Sequence, residues 1–333
     1  MHKIYNTFWF IVIIECFAIG AIVLVFFLRQ QHIFQINPLS KTSIQRKQDS
    51  QFQYYYELPQ HTVDYGQAAW LPHTATYRYN NDGFNERFDY ELNKASDVYR
   101  IITLGDSFAF GMWVNTEDNF SEQLEDKLNA TIICKRVSKF EVINLGAPGF
   151  DVKYTVRRYE DKGAPYNPDL IIWFMRGENI FMDMEQYRKR EEFYKQESQL
   201  TGAAERYHAD KSDQYAASTL SYKEYMDAYT KLTKEQQEQF IQPSRIAIRE
   251  WANQNTAPLF IATMASEEDR YKAIVKSFIN GRKQSWYFEV GAIDTFFPYD
   301  YHPNDQGHKK IADELLHYIV SQILTDCQEK KTL

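Results

Sequence analysis

The sequence predicts an α/β fold: a three-layer α/β/α sandwich with a parallel sheet of about five strands, together with one N-terminal transmembrane helix. Three observations lead to this prediction. Short apolar runs alternate with helical patterns from residue 98 onwards. A predominantly apolar run with one charged residue occupies residues 8–28. The 333 residues are 44% hydrophobic and 25% charged, which is typical of globular proteins and excludes wholesale disorder.

The apolar run at residues 8–28 is long enough to cross a bilayer, because as a helix it would extend about 31 Å against about 30 Å of hydrocarbon. Glu15 is its one charged residue, and the surrounding Phe, Ile, Val and Leu outweigh the cost of inserting a carboxyl group. A cleaved signal peptide is the alternative, since small residues occur at 18–21, but the apolar run continues past them. We therefore predict a membrane anchor at residues 1–29 and a polar tether at 30–53.

The charges beside this segment leave its orientation open. Lys3 precedes the apolar run, whereas Arg29, Lys41, Arg46 and Lys47 follow it. Taken alone, the positive-inside rule therefore argues against export of the folded part.

The overall charge and the cysteines exclude other classes of protein. With 38 Lys and Arg against 45 Asp and Glu, the net charge of -7 argues against a nucleic-acid partner. The three cysteines, Cys16, Cys134 and Cys327, have no zinc-ligand spacing. A disulfide between Cys134 and Cys327 remains possible.

Each element of the predicted sandwich follows from a local pattern. Residues 54–87 are aromatic and turn-rich, and predict a layer of short strands on the main domain. The region 181–256 is dense in Glu, Lys, Gln and Tyr with helical spacing, and predicts a helical insertion into a folded domain at 54–333. Short apolar runs predict strands at 98–104, 140–145, 169–175, 258–264 and 286–290. Segments between or after these runs predict helices at 118–129, 153–162 and 304–324.

Candidate functional residues lie just after the predicted strands, where open parallel sheets bind their ligands. Gly105, Asp106 and Ser107 follow the first strand, residues 144–149 the second and residues 176–179 the third, while residues 299–304 precede the last helix. These blocks supply a hydroxyl, glycines that bring backbone N–H groups close, a side-chain amide, and an imidazole beside a carboxylate. Those groups are the parts of an acyl-transfer site.

The four blocks, in this order and spacing, resemble those of the SGNH, or GDSL, hydrolase family. The resemblance covers roughly residues 87–324, and residues 54–84 are similar to the N-terminal flank of membrane-anchored bacterial members. It implies a flavodoxin-like sandwich and a serine hydrolase acting on ester bonds, with neither a metal nor a cofactor.

The resemblance also implies a role for individual residues. Ser107 would be the nucleophile, and His302 would take its proton and return it to the leaving alcohol. Three donors would form the oxyanion hole: the backbone N–H groups of Ser107 and Gly149, and the side-chain amide of Asn179.

The chain departs from the family pattern at two positions. Ile180 follows Asn179, where the family commonly has Asp. Tyr299 stands three residues before His302, where many members have the acid that orients the histidine. We predict that Asp300 serves instead, and Asp294 or no acid at all remain alternatives.

Three functions remain open at this stage. The first is an esterase acting on small acyl esters, such as O-acetyl groups of an envelope or exported polysaccharide, with the catalytic domain outside the cytoplasm. The second is a polysaccharide O-acyltransferase that uses the same serine and histidine. The third is a non-catalytic, membrane-anchored assembly or binding protein.

Overall fold

The computed structural model describes residues 45–46, 49, 51–68, 70–189, 227–324 and 327–329. The predicted membrane segment and most of the predicted tether lie outside these ranges, as does the part of the predicted insertion at 190–226. No helix within the described ranges is long and apolar enough to cross a membrane.

Five parallel strands form the central sheet, which confirms the predicted α/β sandwich with a parallel sheet of about five strands. The strands are β5 (Val98–Leu104), β7 (Lys139–Asn144), β8 (Leu170–Phe174), β9 (Leu259–Met264) and β10 (Ser285–Val290). Their spatial order is β7-β5-β8-β9-β10, the doubly wound order in which the first strand in sequence lies second from one edge. Each lies within a residue or two of a predicted strand.

Alternate residues of each strand face opposite sides of the sheet, so the chain has two apolar cores. On β5, for example, Ile102 belongs to one core and Ile101 to the other. Helices α3 (Val152–Arg158), α5 (Lys234–Gln254) and α6 (Asp269–Phe278) cover the first core. Helices α2 (Phe120–Thr131) and α7 (Asp305–Gln322) cover the second core.

Two short helices lie at the carboxyl ends of strands: α1 (Ser107–Phe110) after β5, and α4 (Gly177–Phe181) after β8. The sequence pattern did not predict these helices or α6. It did predict a helix at 118–129, and α2 begins slightly later, because Asn119 caps it by accepting the N–H groups of Ser121 and Glu122. Helix α5 lies within the range of the predicted insertion.

Side chains from α2 and from residue 86 cover the edge strand β7. The backbone N–H groups of Phe140, Val142 and Asn144 donate to Asn129, Glu125 and Glu86, respectively. An uncovered edge would offer these donors to another chain. Burial raises the pKa of Glu125 to about 7, although the N–H of Val142 and the hydroxyl of Tyr90 favour its ionised form.

Short strands precede the sheet, as predicted for residues 54–87. Strands β1 (Gln45–Arg46) and β2 (Tyr56–Glu57) pair antiparallel, and so do β3 (Thr62–Gly66) and β4 (Ala75–Tyr79). A third antiparallel pair joins β6 (Ile132–Cys134) to β11 (Cys327–Glu329), where a disulfide links Cys134 to Cys327. The bridge that the sequence allowed is therefore present.

Candidate active site

Ser107 is the first residue of α1, directly beyond the carboxyl end of β5. Asp106 caps this helix, because its carboxylate accepts the N–H of Phe108 at 2.9 Å. The first N–H groups of a helix have no acceptor within it. Ser107 therefore presents both a hydroxyl and a backbone N–H at the rim of the sheet.

His302 lies in the loop between β10 and α7, and its Nε2 is 2.7 Å from Oγ of Ser107. On the other side of the ring, Nδ1 is 2.5 Å from Oδ1 of Asp300. The same oxygen accepts the backbone N–H of His302 at 2.7 Å, so one carboxylate oxygen holds both the ring and the main chain of the histidine. The His302 and Asp300 side chains are 23% and 22% exposed, which leaves the pair open to a ligand from solvent.

The Asp300 carboxylate remains ionised at neutral pH. Burial raises its pKa, but hydrogen bonds from His302 and from Nε1 of Trp113 outweigh burial and lower the pKa below its usual value. A carboxylate beside Nδ1 favours the tautomer with a proton on that nitrogen. The lone pair of Nε2 then faces the hydroxyl of Ser107.

The loop after β7 packs closely against the serine helix. The side chain of Asn144 donates to the carbonyl of Ala109 at 2.9 Å and accepts the N–H of Gly146 at 2.8 Å. A Cβ at residue 146 would lie 2.3 Å from the backbone nitrogen of Phe110, so only glycine fits this approach.

Gly149 lies farther along the same loop, with a φ of +72° that favours glycine. The hydroxyl of Tyr56 donates to the carbonyl of Pro148. Because the C=O and N–H of a trans peptide point in opposite directions, this bond turns the N–H of Gly149 away from Tyr56. Within the part of the chain that the structure describes, no acceptor bonds to that N–H.

Asn179 is the third residue of α4, and its side chain is buried beside the serine helix. Its Oδ1 accepts the N–H of Arg176 at 2.8 Å, which fixes the orientation of the amide. Its Nδ2 donates to Oδ2 of Asp106 at 2.9 Å, and lies 3.4 Å from the carbonyl of Phe150. One amide hydrogen is thus strongly engaged and the other only weakly.

The structure brings four of the five predicted site residues together. Ser107, His302 and Asp300 form one hydrogen-bonded chain, and Asp106, the residue before the serine, accepts the side-chain amide of Asn179. The fifth, Gly149, lies in the loop after β7. Asp294, the alternative acid, instead accepts the N–H of Asn304 through its backbone carbonyl.

The last block of the sequence holds further Asp and His residues, but in the described ranges no three His, Cys, Asp or Glu side chains are grouped as metal ligands. His308 is fully buried, and its Nδ1 accepts the N–H of Phe120 at 3.2 Å. Burial lowers the pKa of His308 to about 3, so this ring is neutral.

Sequence reasoning assigned no role to three residues that shape the site: Asp106, Arg176 and Trp113. Asp106 accepts hydrogen bonds from Asn179, Phe108 and Arg176, and the block that contains Ser107 was the available signal for it. Burial raises the pKa of Asp106, but the Arg176 guanidinium and these hydrogen bonds together lower it. The guanidinium also stacks 4.0 Å from the centre of the Phe108 ring. The third residue, Trp113, gave no sequence signal.

Comparison with solved structures finds similar chains among esterases. They include an acetyl xylan esterase, AlAXEase (15% identity, 66% of this chain and 99% of that chain, TM-score 0.37). A psychrotrophic esterase, EstA, from Pseudoalteromonas sp. matches at 12% identity over 67% of this chain and 97% of its own, with a TM-score of 0.38. A catalytic mutant of the acetylxylan esterase Axe2 from Geobacillus stearothermophilus matches at 13% identity over 68% and 96%, with a TM-score of 0.37.

No protein-family model and no curated protein matches the chain. At TM-scores below 0.5 the structural similarities carry no functional weight. The function is therefore inferred from the four sequence blocks and from the geometry of the residues themselves.

Proposed function

We propose that this protein is a serine ester hydrolase of the SGNH type. One observation carries the proposal: Oγ of Ser107 lies 2.7 Å from Nε2 of His302, while Nδ1 of that ring lies 2.5 Å from Asp300. A hydroxyl, an imidazole and a carboxylate in this order form the arrangement that activates serine as a nucleophile.

The reaction proceeds in two stages. Oγ of Ser107 attacks the ester carbonyl and gives its proton to Nε2 of His302, and the carboxylate of Asp300 stabilises the imidazolium that forms. His302 then donates this proton to the leaving alkoxide as the C–O bond breaks, which releases an alcohol and leaves an acyl-serine. In the second stage His302 takes a proton from the water that attacks the acyl carbon. It then returns that proton to Oγ of Ser107 as the bond between the acyl carbon and Oγ breaks, which releases a carboxylic acid and the free serine.

Three donors stabilise the oxyanion in both stages: the N–H groups of Ser107 and Gly149, and Nδ2 of Asn179. Their structural settings support this role. The N–H of Ser107 is at a helix start, that of Gly149 has no acceptor within the described residues, and the second hydrogen of Asn179 is only weakly engaged. The protein fixes all three before substrate binds, so little reorganisation is needed when negative charge develops.

Hydrolysis of aryl esters tests the reaction. The purified protein should release p-nitrophenol from the acetyl ester, and Ser107→Ala should reduce the rate to that of buffer. Repeating the assay with butyryl and longer esters would show whether the site prefers small acyl groups, as we propose. A rate that is unchanged in Ser107→Ala would refute the role of the serine.

The same acyl-serine could pass its acyl group to a sugar hydroxyl instead of water. Product analysis distinguishes the two reactions: a hydrolase yields free acetate whether or not an oligosaccharide is added. A transferase yields acetylated sugar at the expense of acetate.

We propose an acylated glycan as the natural substrate class, and exposed aromatic rings beside the site support this. Phe297, Tyr299 and Tyr301 are 66%, 64% and 72% exposed, and they lie in the loop that carries Asp300 and His302. Large exposed apolar groups that cluster on a surface commonly mark binding sites, and a tyrosine ring offers a flat apolar face with a polar tip. Sugar rings present C–H groups that suit such faces.

Paired substrates test this proposal. Tyr299→Ala and Tyr301→Ala should raise KM for acetylated xylan while leaving KM for p-nitrophenyl acetate unchanged, because the small ester carries no sugar ring to pack on the tyrosines. Phe88→Ala is the matched control, since Phe88 is also exposed, at 46%, but lies outside this loop. Equal KM values for wild type and both tyrosine variants on xylan would contradict a glycan-binding role.

We also propose that the folded domain lies outside the cytoplasm, anchored by residues 8–28. The disulfide between Cys134 and Cys327 supports a location outside the cytoplasm, because disulfides form and persist in oxidising compartments. An alkaline-phosphatase fusion after residue 50 tests it: activity of the fused phosphatase indicates export, and inactivity would place the domain in the cytoplasm.

A further inference from the structure

We infer that Trp113 is a positioning residue for the catalytic acid: its indole N–H holds Asp300 so that the other carboxylate oxygen faces His302. This inference rests on the proposed ester hydrolase function. The geometry begins with Nε1 of Trp113, which donates to Oδ2 of Asp300 at 3.2 Å. Oδ1 of Asp300 contacts both the ring and the backbone of His302.

The two carboxylate oxygens of Asp300 have different partners, and this matters because Asp300 lies only two residues before His302. A carboxylate so close in sequence can bond the backbone N–H of His302 in place of the ring, and a rotation of the side chain would break the contact with Nδ1. The indole N–H removes that freedom, since it occupies Oδ2 and fixes the plane of the carboxylate. Hydrogen bonds to an ionised group are also stronger than those between neutral groups.

The backbone of Trp113 supports a dedicated role. Its φ is +74°, a left-handed conformation that is unfavourable for a bulky side chain. Such conformations persist where the surroundings enforce them, and they concentrate at functional sites. Here the hydroxyl of Tyr77 accepts the backbone N–H of Trp113 at 3.0 Å and holds the strained residue in place.

Trp113 is also only six positions beyond Ser107, on the segment that continues from α1. Hydrogen bonds connect Ser107 to His302, His302 to Asp300, and Asp300 to Trp113. One short backbone segment, residues 107–113, therefore carries the groups at both ends of this series of hydrogen bonds. Trp113 is 3% exposed, so water does not compete readily for this bond.

The pH dependence of the reaction can report on this contact because the neighbouring groups do not titrate in the same range. Tyr77, behind Trp113, has a pKa that burial raises above its usual value. His308, which lies near His302, has a pKa that burial lowers to about 3. Neither Tyr77 nor His308 therefore accounts for a shift in the acidic limb of the rate profile.

The test is the pH profile of kcat/KM for p-nitrophenyl acetate in the full-length protein. Trp113→Phe keeps an apolar ring but removes the donor, so we expect kcat/KM to fall by about 10-fold to 100-fold, the effect of losing a hydrogen bond to a charged group. The acidic limb should move to higher pH, because the carboxylate loses a bond that favours its ionised form. KM should change little, since the indole does not touch substrate.

Trp251→Phe is the matched control. Trp251 is buried to the same degree, 3% exposed, but among the residues that the structure describes its indole N–H has no hydrogen-bond partner. A purely structural effect of replacing a buried indole would appear in both variants, whereas only Trp113→Phe should shift the acidic limb. Tyr77→Phe is a second probe in case Trp113→Phe does not fold, because it frees the strained backbone while keeping the indole; we expect a smaller shift in the same direction.

If the wild type is active and the acidic limb of its pH profile is the same in Trp113→Phe and in Tyr77→Phe, this inference is wrong and the proposed function stands. If the wild type does not hydrolyse esters, or if its hydrolysis does not depend on Ser107, the proposed function is wrong, and this inference with it.

Discussion

The carboxylate of Asp106 accepts a hydrogen bond from the side-chain amide of Asn179 at 2.9 Å, so the residue directly before the serine orients a donor from another strand-end loop. The two residues lie 73 positions apart in sequence, and both are buried. The contact fixes the spacing between the two oxyanion donors that we propose, the N–H of Ser107 and the amide of Asn179.

Asn179→Ala should lower kcat by about 100-fold to 1000-fold with little change in KM, because it removes one oxyanion donor. The fold should persist, since Asp106 keeps its bonds to Arg176 and to the N–H of Phe108. Steady-state kinetics and thermal melting check the two statements. Asn253→Ala, on the exposed face of α5, is the control, and a variant with wild-type kcat would show that Asn179 does not contact the oxyanion.

Asp300→Asn should lower kcat by about 1000-fold to 10,000-fold, because an amide can donate to Nδ1 and so favour the unproductive tautomer. Asp294→Asn tests the other acid that the sequence allowed, and its kcat should equal that of wild type. A large loss in Asp294→Asn with near-normal activity in Asp300→Asn would reverse this assignment.

Glu125 makes the stability of the protein pH-dependent. Its pKa is about 7 in the folded state, against 4.5 for an ordinary glutamate, so the folded state keeps a proton that the unfolded chain releases. Stability contributed by Glu125 is therefore complete below about pH 4.5 and falls as the pH rises towards 7, by on the order of 2–3 kcal/mol. Urea denaturation from pH 4.5 to 7.5 should show this slope.

Glu125→Gln should flatten that slope, since an amide mimics the protonated acid and can still accept the N–H of Val142 and the hydroxyl of Tyr90. Glu250→Gln, an exposed change on α5, should leave the slope as in wild type. An identical slope in wild type and Glu125→Gln would mean that Glu125 titrates normally in the folded protein.

The disulfide between Cys134 and Cys327 should stabilise the fold without serving the reaction. It joins β6 to β11, which lie outside the five-stranded sheet that carries the site. Replacing both cysteines with serine should lower the free energy of unfolding by about 2–4 kcal/mol and leave kcat unchanged. Equal denaturation midpoints under oxidising conditions would contradict this.

Much of the fold could be predicted because its signals are local. The strands of a parallel sheet covered on both faces are continuous apolar runs, and β5, β8 and β9 lie close to their predicted bounds for that reason. Helix α1 escaped prediction because four residues are too few to show a helical period. The helix α6 was missed as well, although its buried face consists of Tyr271, Ile274, Val275 and Phe278 at helical spacing.

The site was predictable to the extent that its residues follow strand ends. Ser107 and Asn179 follow the ends of β5 and β8 within a few residues, and the shared direction of parallel strands brings such residues to one edge. The contact between Trp113 and Asp300 spans 187 positions and depends on a left-handed backbone at a tryptophan, for which the sequence carries no signal. The choice of Asp300 over Asp294 likewise depends on the conformation of the loop before α7.

The most direct measurement of the central claim is covalent labelling with a fluorophosphonate, followed by mass spectrometry of the labelled peptide. The wild-type protein should carry one phosphonyl group on Oγ of Ser107. Labelling should be absent in Ser107→Ala and slow in His302→Ala, because the nucleophile is activated by the ring 2.7 Å away. An unlabelled wild type beside a reactive control esterase, or equal labelling of wild type and Ser107→Ala, would contradict the account.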